Sequence, residues 1–268
     1  MIATIRAEWR KNRFRPAFLV GAGLVAAITL LVFSTNWYQA LHPGTAEHPV
    51  LLASLYADQF VNNVMGAGFP LGAAMAIVLG ALLAGSEYSW ATLKTVLVQG
   101  PGRLTTWSGR VIVFAVWMGI LTAILFGIGA AYSAVITSVE GHAIVWPAVS
   151  EIAQGFGAVW LIFGVFGAIG LALGVLIRQS AAALGVGLVY LLSVEILVVR
   201  FIDTVNNGAY KWIGDLFAGP NAQALIGHVS GKTNGITISA EQALLVLAAW
   251  LIGLLIVAAG LQRVRDVT

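Results

Sequence analysis

Few residues of this 268-residue chain have side chains suited to chemistry. Glu195 is the acidic residue set well inside an apolar stretch, "LVYLLSVEILVV". An ionisable group at that depth in lipid marks a substrate path or a proton carrier by default. Its structural alternative is a hydrogen-bonded side chain in the outer third of a span. Arg200 follows five residues later, a poor helical spacing for a pair, and matches Asp203 better at three residues. "GHVSGKT", Gly227 to Thr233, has the look of a phosphate-binding loop. That motif needs four residues between its first Gly and the Gly-Lys pair, and here three separate Gly227 from Gly231. No strand precedes it, so no nucleotide site is expected on this chain. His42, His48, His142 and His228 come from three loops without ligand-like spacing and read as solvated side chains. There is no cysteine, which removes disulfides, thiolate metal sites and a catalytic thiol. HExxH, GxSxG and paired intramembrane aspartates are also missing, so neither a hydrolase nor an intramembrane protease is supported. The chain is not expected to be an enzyme or to bind a metal or cofactor itself. A further polar group, "GSEYSWATLKTVLVQGPGR" from Gly85 to Arg103, places Glu87, Lys94 and Arg103 between two apolar stretches.

The elements that must carry these residues are membrane helices. Hydrophobic residues make up 59% of the chain and charged residues 9%, against about 25% charged in a soluble domain. There is too little polar side chain to cover a globule, and the apolar excess runs along the whole chain. A helix crossing the hydrocarbon needs roughly 20 apolar residues. The gaps between charges hold six spans, near 17–36, 63–84, 107–132, 153–177, 181–202 and 243–261. The fifth is the awkward one. Only 16 residues separate Arg178 from Glu195, so that span must carry Glu195 toward one end. The fold class is therefore all-α and polytopic, in one transmembrane domain over 1–268.

Orientation follows from Lys and Arg, which resist translocation. Six spans put both termini on one side, and that side holds 11 of the 14 basic residues. Both termini are expected in the cytoplasm, and with them the Gly85–Arg103 stretch. The basic start and first apolar run resemble a signal peptide, but the run is long and no small-x-small cleavage site follows it. It is expected to remain as the first span.

Residues 1–15 read as an interfacial helix. Ile2, Ile5 and Trp9 share one face, Arg10 and Lys11 lie away from it, and Arg6 and Arg13 flank it. Trp9, Arg10, Lys11 and Arg13 are the expected interfacial anchors. The segments 36–62, 133–154 and 203–242 fall outside. The last is the longest, and its "YKWIGDLFAGPNAQALIGHV" suggests short helices at or dipping into the membrane surface, with Pro220 in a first turn. Gly164, Gly167, Gly170 and Gly174 form a stripe on the fourth span, and Gly68 and Gly72 a pair on the second. Small residues so placed allow close helix packing. Pro70 is expected to kink the second span.

Within Gly85–Arg103, residues 86–99 contain no Gly or Pro. Ser86 is a suitable N-cap and Glu87 suits the first turn of a helix. Trp90, Leu93 and Leu97 form an apolar stripe, and Gly100 and Pro101 stop the helix. The spacing predicts a short amphipathic helix on the cytoplasmic face, joined at each end to a span. It would either anchor the loop or serve as a lever that a partner grips.

At these residues the sequence resembles the membrane subunits of type-2 ABC exporters, the ABC-2 permeases. A Glu follows the second span, then a Thr in an amphipathic turn, then a Pro/Gly/Arg stop before the third span. Six spans, both ends inside, a basic interfacial helix and a long last outer loop agree, so the resemblance covers the whole chain. Ala91 stands where many members carry Gly. The resemblance implies two six-helix protomers, identical or related, with two copies of a separate ATP-binding subunit beneath them. Residues 86–99 would be the coupling helix, with Glu87, Tyr88, Trp90, Thr92, Leu93, Lys94 and Leu97 meeting the ATPase. Residues 1–15 would be the elbow helix, and 203–242 an outer gate. ATP and Mg would bind the partner. The setting would be the plasma membrane, in a bacterium or archaeon the inner membrane, with the lipid bilayer and no nucleic acid as surroundings. Two other readings remain: a secondary carrier or channel working without ATP, and a non-transporting membrane scaffold or immunity factor.

Overall fold

A computed structural model describes residues 2–42, 50–69, 71–89, 102–205 and 209–264. Among these residues every regular element is helical. In chain order they are α1 (Ile2–Arg13), α2 (Pro16–Leu41), two short 3-10 turns (Leu52–Leu55 and Ala57–Gln59), α3 (Phe60–Gly68), α4 (Leu71–Ser89), α5 (Arg103–Val139), α6 (Val149–Ile177) and α7 (Ser180–Val189). A π-helical turn (Tyr190–Val194) then leads into α8 (Glu195–Thr204), α9 (Lys211–Gly214), α10 (Ala218–Val229) and α11 (Ala240–Val264).

Among the described residues, five helical stretches are long and apolar enough to cross a membrane: Pro16–Leu41, Leu104–Val139, Val149–Ile177, Ser180–Thr204 and Ala240–Arg263. Among these residues a sixth crossing requires the pair Ala57–Gly66 and Leu71–Gly85 to count as one span, and these two helices meet at 58°. Over the second expected span, 63–84, the structure thus has two helices at an angle and not one continuous span. Pro70, expected at the kink, lies outside the described residues.

The bundle is centred on α6, which packs along α4 more extensively than any other helix pair. Glycine makes that approach possible. A Cβ on Gly80 would overlap the Gly167 carbonyl oxygen, and one on Gly170 would overlap the carbonyl of Ile77. The expected stripe divides by face. Gly170 and Gly174 meet α4, Gly167 meets Phe114 and Met118 of α5, and Gly164 has only Leu251 of α11 at 3.6 Å. Gly72 lies against the Phe163 ring.

The third span departs from its expected bounds. The α5 helix continues to Val139, where Thr137 and Ser138 bond back to the carbonyls of Ser133 and Ala134. At about 1.5 Å per residue, its 37 residues exceed the hydrocarbon by several turns. Within the segment expected outside, 133–154, the non-helical part is the stretch between Val139 and Val149. There Tyr56 packs on His142 and Phe60 on Trp146, with ring centres 4.7 and 5.7 Å apart. The Ala57 N–H donates to Thr137 Oγ1. These contacts gather the connections after α2 and α5 at one end of the bundle. The opposite end brings Thr4 of α1 against Gly109, and Ser180 against Gly85.

Two expectations change at that opposite end. The backbone of Ser86–Ser89 continues α4 without a break, so Ser86 does not start a separate helix. The rest of the helix expected over 86–99 lies outside the described residues. Trp9 faces the protein rather than lipid alone, its ring 5.6 Å from Trp117, which also packs on Phe18 at 4.8 Å. Arg110, within the expected span 107–132, is fully buried at 0% exposure within α5.

Candidate ligand cavity beside a buried glutamate

The helix that carries Glu195 is buried along a single line of residues. Ala183, Gly187, Leu191 and Glu195 are buried, four apart, while the residues between them are exposed or half-buried. In a straight α-helix such a series drifts about 40° per step around the axis. The π turn at Tyr190–Val194 takes up that drift, since i→i+5 bonding widens the turn. The Glu195 N–H donates to the Tyr190 carbonyl five residues back. A lipid-facing helix thereby keeps one inward face, and Glu195 stays on it with 3% of its surface exposed.

What Glu195 meets there is the start of α10. The N-cap residue, Phe217, offers no side-chain cap, so the first N–H groups of α10 need an acceptor from elsewhere. Glu195 supplies it: Oε1 accepts the Gly219 N–H at 2.6 Å. A carboxylate at a helix N-terminus is also favoured by the helix dipole. Gly219 leaves room for this contact, since a Cβ there would sit 3.1–3.2 Å from the carboxylate atoms. Pro220, next in the first turn, has no N–H to satisfy. The turn ahead of α10 is fixed independently. Asn221 Nδ2 donates to the Asp215 and Phe217 carbonyls, and Trp250 Nε1 donates to the Leu216 carbonyl at 2.9 Å. So α11 holds the entry to α10, and α8 holds its first turn.

A cavity of about 740 Å³ lies between α3, α8, α10 and the non-helical segment before α11. Its walls are mostly apolar, with Met65 and Phe69 on one side and Ile226, Ile236 and Ile238 on the other. Glu195 lines it, as do Arg200, Asp203, Lys211 and Asp215. The pair expected between Arg200 and Asp203 is not made. Lys11 and Glu8 on α1 do pair, at 3.1 Å.

The other candidates named from the sequence fall elsewhere. Glu87 and Tyr88 belong to the last turn of α4. Trp90, Thr92, Leu93, Lys94 and Leu97 lie outside the described residues. On α1, Arg10 and Arg13 are exposed, Arg13 sits 4.4 Å over the Phe14 ring, and Lys11 is paired with Glu8. "GHVSGKT" closes a helix rather than opening one. Gly231 has φ of 68°, and the Lys232 N–H returns to the Gly227 carbonyl. The segment therefore presents the carbonyl end of α10, which repels phosphate. His42 stacks on Tyr38, His142 on Tyr56, and His228 Nε2 bonds the Ile238 carbonyl. Among the described residues no three His, Asp or Glu side chains gather as a metal site.

Sequence reasoning found Glu195 but missed its partner and the cavity. Two signals pointed there: the unusual four-residue spacing of Ala183, Gly187, Leu191 and Glu195, and the Ala-Gly-Pro run at 218–220 with no capping side chain before it.

Fold and cavity together define a polytopic α-helical membrane protein with a partly charged chamber toward one end. No protein-family model matches the chain, and no characterised protein matches it in sequence.

Proposed function

We propose that this chain is the membrane subunit of an ATP-binding-cassette exporter of the type-2 class, working with a separate ATPase chain. The observation that most supports this is how the Gly85–Arg103 stretch is framed. On one side α4 runs unbroken to Ser89 and is locked to α6 through Gly80 and Gly170. On the other, α5 starts at Arg103 and continues for 37 residues. A short segment joining two such rods transmits a push to the far end of the bundle, because helices that interdigitate this closely move as units. The far end holds the cavity. In this reading the ATPase binds ATP and Mg, grips residues 86–99 through Trp90, Leu93, Lys94 and Leu97, and tilts α4 and α5. Glu87, Tyr88 and Thr92 orient that segment. Two protomers, identical or related, sit over two ATPase copies in the plasma membrane, in a bacterium or archaeon the inner membrane, and α1 lies at the lipid interface.

The test is affinity isolation of the tagged chain in mild detergent from its native host. The expected outcome is co-isolation of a soluble ATP-binding-cassette ATPase, lost with Leu93→Asp while the variant stays folded. Isolation without any such ATPase would overturn the reading.

One observation favours the ATP-independent carrier instead: a buried carboxylate in a cavity wall is a common arrangement for ion coupling. Flux through the chain alone in proteoliposomes, driven by an ion gradient, would establish that reading.

A further inference from the structure

We propose that the 740 Å³ cavity binds an amphipathic organic cation, with Glu195 as the anionic anchor at its wall. Naming that cation as cargo rests on the transport reading above, whereas the binding itself does not. The volume is within the range of small-molecule sites, roughly 300–1,000 Å³. Mostly apolar walls with a few convergent polar groups suit a ligand with an apolar body and one charged centre.

The sign of that charge follows from burial. Three carboxylates line the cavity, Glu195, Asp203 and Asp215, against two cations, Arg200 and Lys211. Arg200, Asp203 and Lys211 are exposed, so water and salt screen them. Glu195 is the buried ionisable group of this wall, and a cation bound beside it in a low-dielectric setting favours its ionised form, whereas an anion opposes it. The Gly219 N–H donates to Oε1, and the Ala218 N–H and the Tyr190 hydroxyl also neighbour the carboxylate, which can accept about four hydrogen bonds. Acceptor capacity therefore remains for a cation. An anion of the same shape meets Glu195 unfavourably. A sugar-like ligand would leave its hydroxyls against Met65, Phe69 and the isoleucines without partners.

The test uses the purified full chain in lipid nanodiscs and two probes of equal shape and opposite charge, tetraphenylphosphonium and tetraphenylborate. Saturable binding of the phosphonium and not of the borate is expected. Glu195→Gln keeps an oxygen for the Gly219 N–H and removes the charge. It should weaken phosphonium binding at least tenfold, about 1.4 kcal/mol, with little change in melting temperature. Asp203→Asn, at the exposed rim, should weaken it only about twofold, as for screened surface charges. Equal affinity for the two probes, or unchanged phosphonium affinity in folded Glu195→Gln, would overturn the proposal. If Glu195→Gln does not fold, the comparison of the two probes on the wild type decides alone. Because no ATPase takes part, failure here and failure to co-isolate an ATPase are separate results.

Discussion

Gly170→Ala is the sharpest probe of how this bundle is held together. The added Cβ would overlap the Ile77 carbonyl oxygen and sit 2.8 and 2.9 Å from the carbonyl carbon and Cα of Ile77. All three are backbone atoms of the facing helix, so no side-chain rotation relieves the clash. Reaching ordinary contact, 3.4 Å or more, requires α4 and α6 to separate along their shared seam. Overpacking of this kind costs about 1–3 kcal/mol. For a chain of this size that corresponds to a fall in melting temperature of roughly 3–10 °C. Gly164→Ala is the control on the same stripe. Its Cβ would meet Leu251 at 3.6 and 3.8 Å, ordinary van der Waals contact with a flexible side chain. Its melting temperature should not fall below that of wild type, because the added methyl meets no atom closer than ordinary contact and alanine favours the helix over glycine. The assay is thermal unfolding of the purified variants in one detergent. Equal behaviour of the two variants would refute the reasoning, because it would mean that the stripe acts as a generic small-residue surface and not through the α4–α6 approach.

Glu195→Ala should destabilise more than Glu195→Gln. Alanine leaves the buried Gly219 N–H without its acceptor, a cost of about 1–3 kcal/mol, whereas glutamine retains one; equal melting temperatures would remove the capping role. In transport assays of a working complex, Glu195→Gln should lower flux without lowering the amount of assembled protein, and undiminished flux would exclude a path-lining role. The chain has no cysteine, so single cysteines report topology cleanly. A membrane-impermeant thiol reagent added to intact cells should label Lys232→Cys and not Arg10→Cys, and the reverse pattern would invert the orientation read from the basic residues.

How much the sequence disclosed depended on whether the information was local. Helix class and most spans were legible because lipid demands long apolar stretches, and α2, α6 and α11 lie where the charge gaps put them. The Gly167, Gly170 and Gly174 stripe announced close packing, though not that it would serve α4 and α5 separately. The short helices at 211–214 and 218–229 were signalled by their apolar content and Pro220. Other features were set by tertiary contacts. The last turns of α5, which reach Val139, are tied across the fold where Thr137 Oγ1 accepts the Ala57 N–H. Trp9 turns inward because Trp117 and Phe18 offer a ring surface that no local pattern reveals. Glu195 was visible as an intramembrane carboxylate, but its role in capping α10 depends on a residue 24 positions away. A local spacing of three favoured an Arg200–Asp203 pair. The structure leaves both side chains exposed at a cavity mouth, where hydration competes with pairing.

The central claim is that motion imposed on residues 86–99 by a separate ATPase drives transport through this chain. The most direct measurement is tetraphenylphosphonium flux in proteoliposomes holding either the isolated complex or this chain alone, with and without ATP. ATP-dependent flux above the leak of protein-free liposomes is expected in the complex, abolished by Leu93→Asp, and no flux above that leak through the chain alone. ATP-independent flux through the chain alone, unaffected by Leu93→Asp, would contradict the claim.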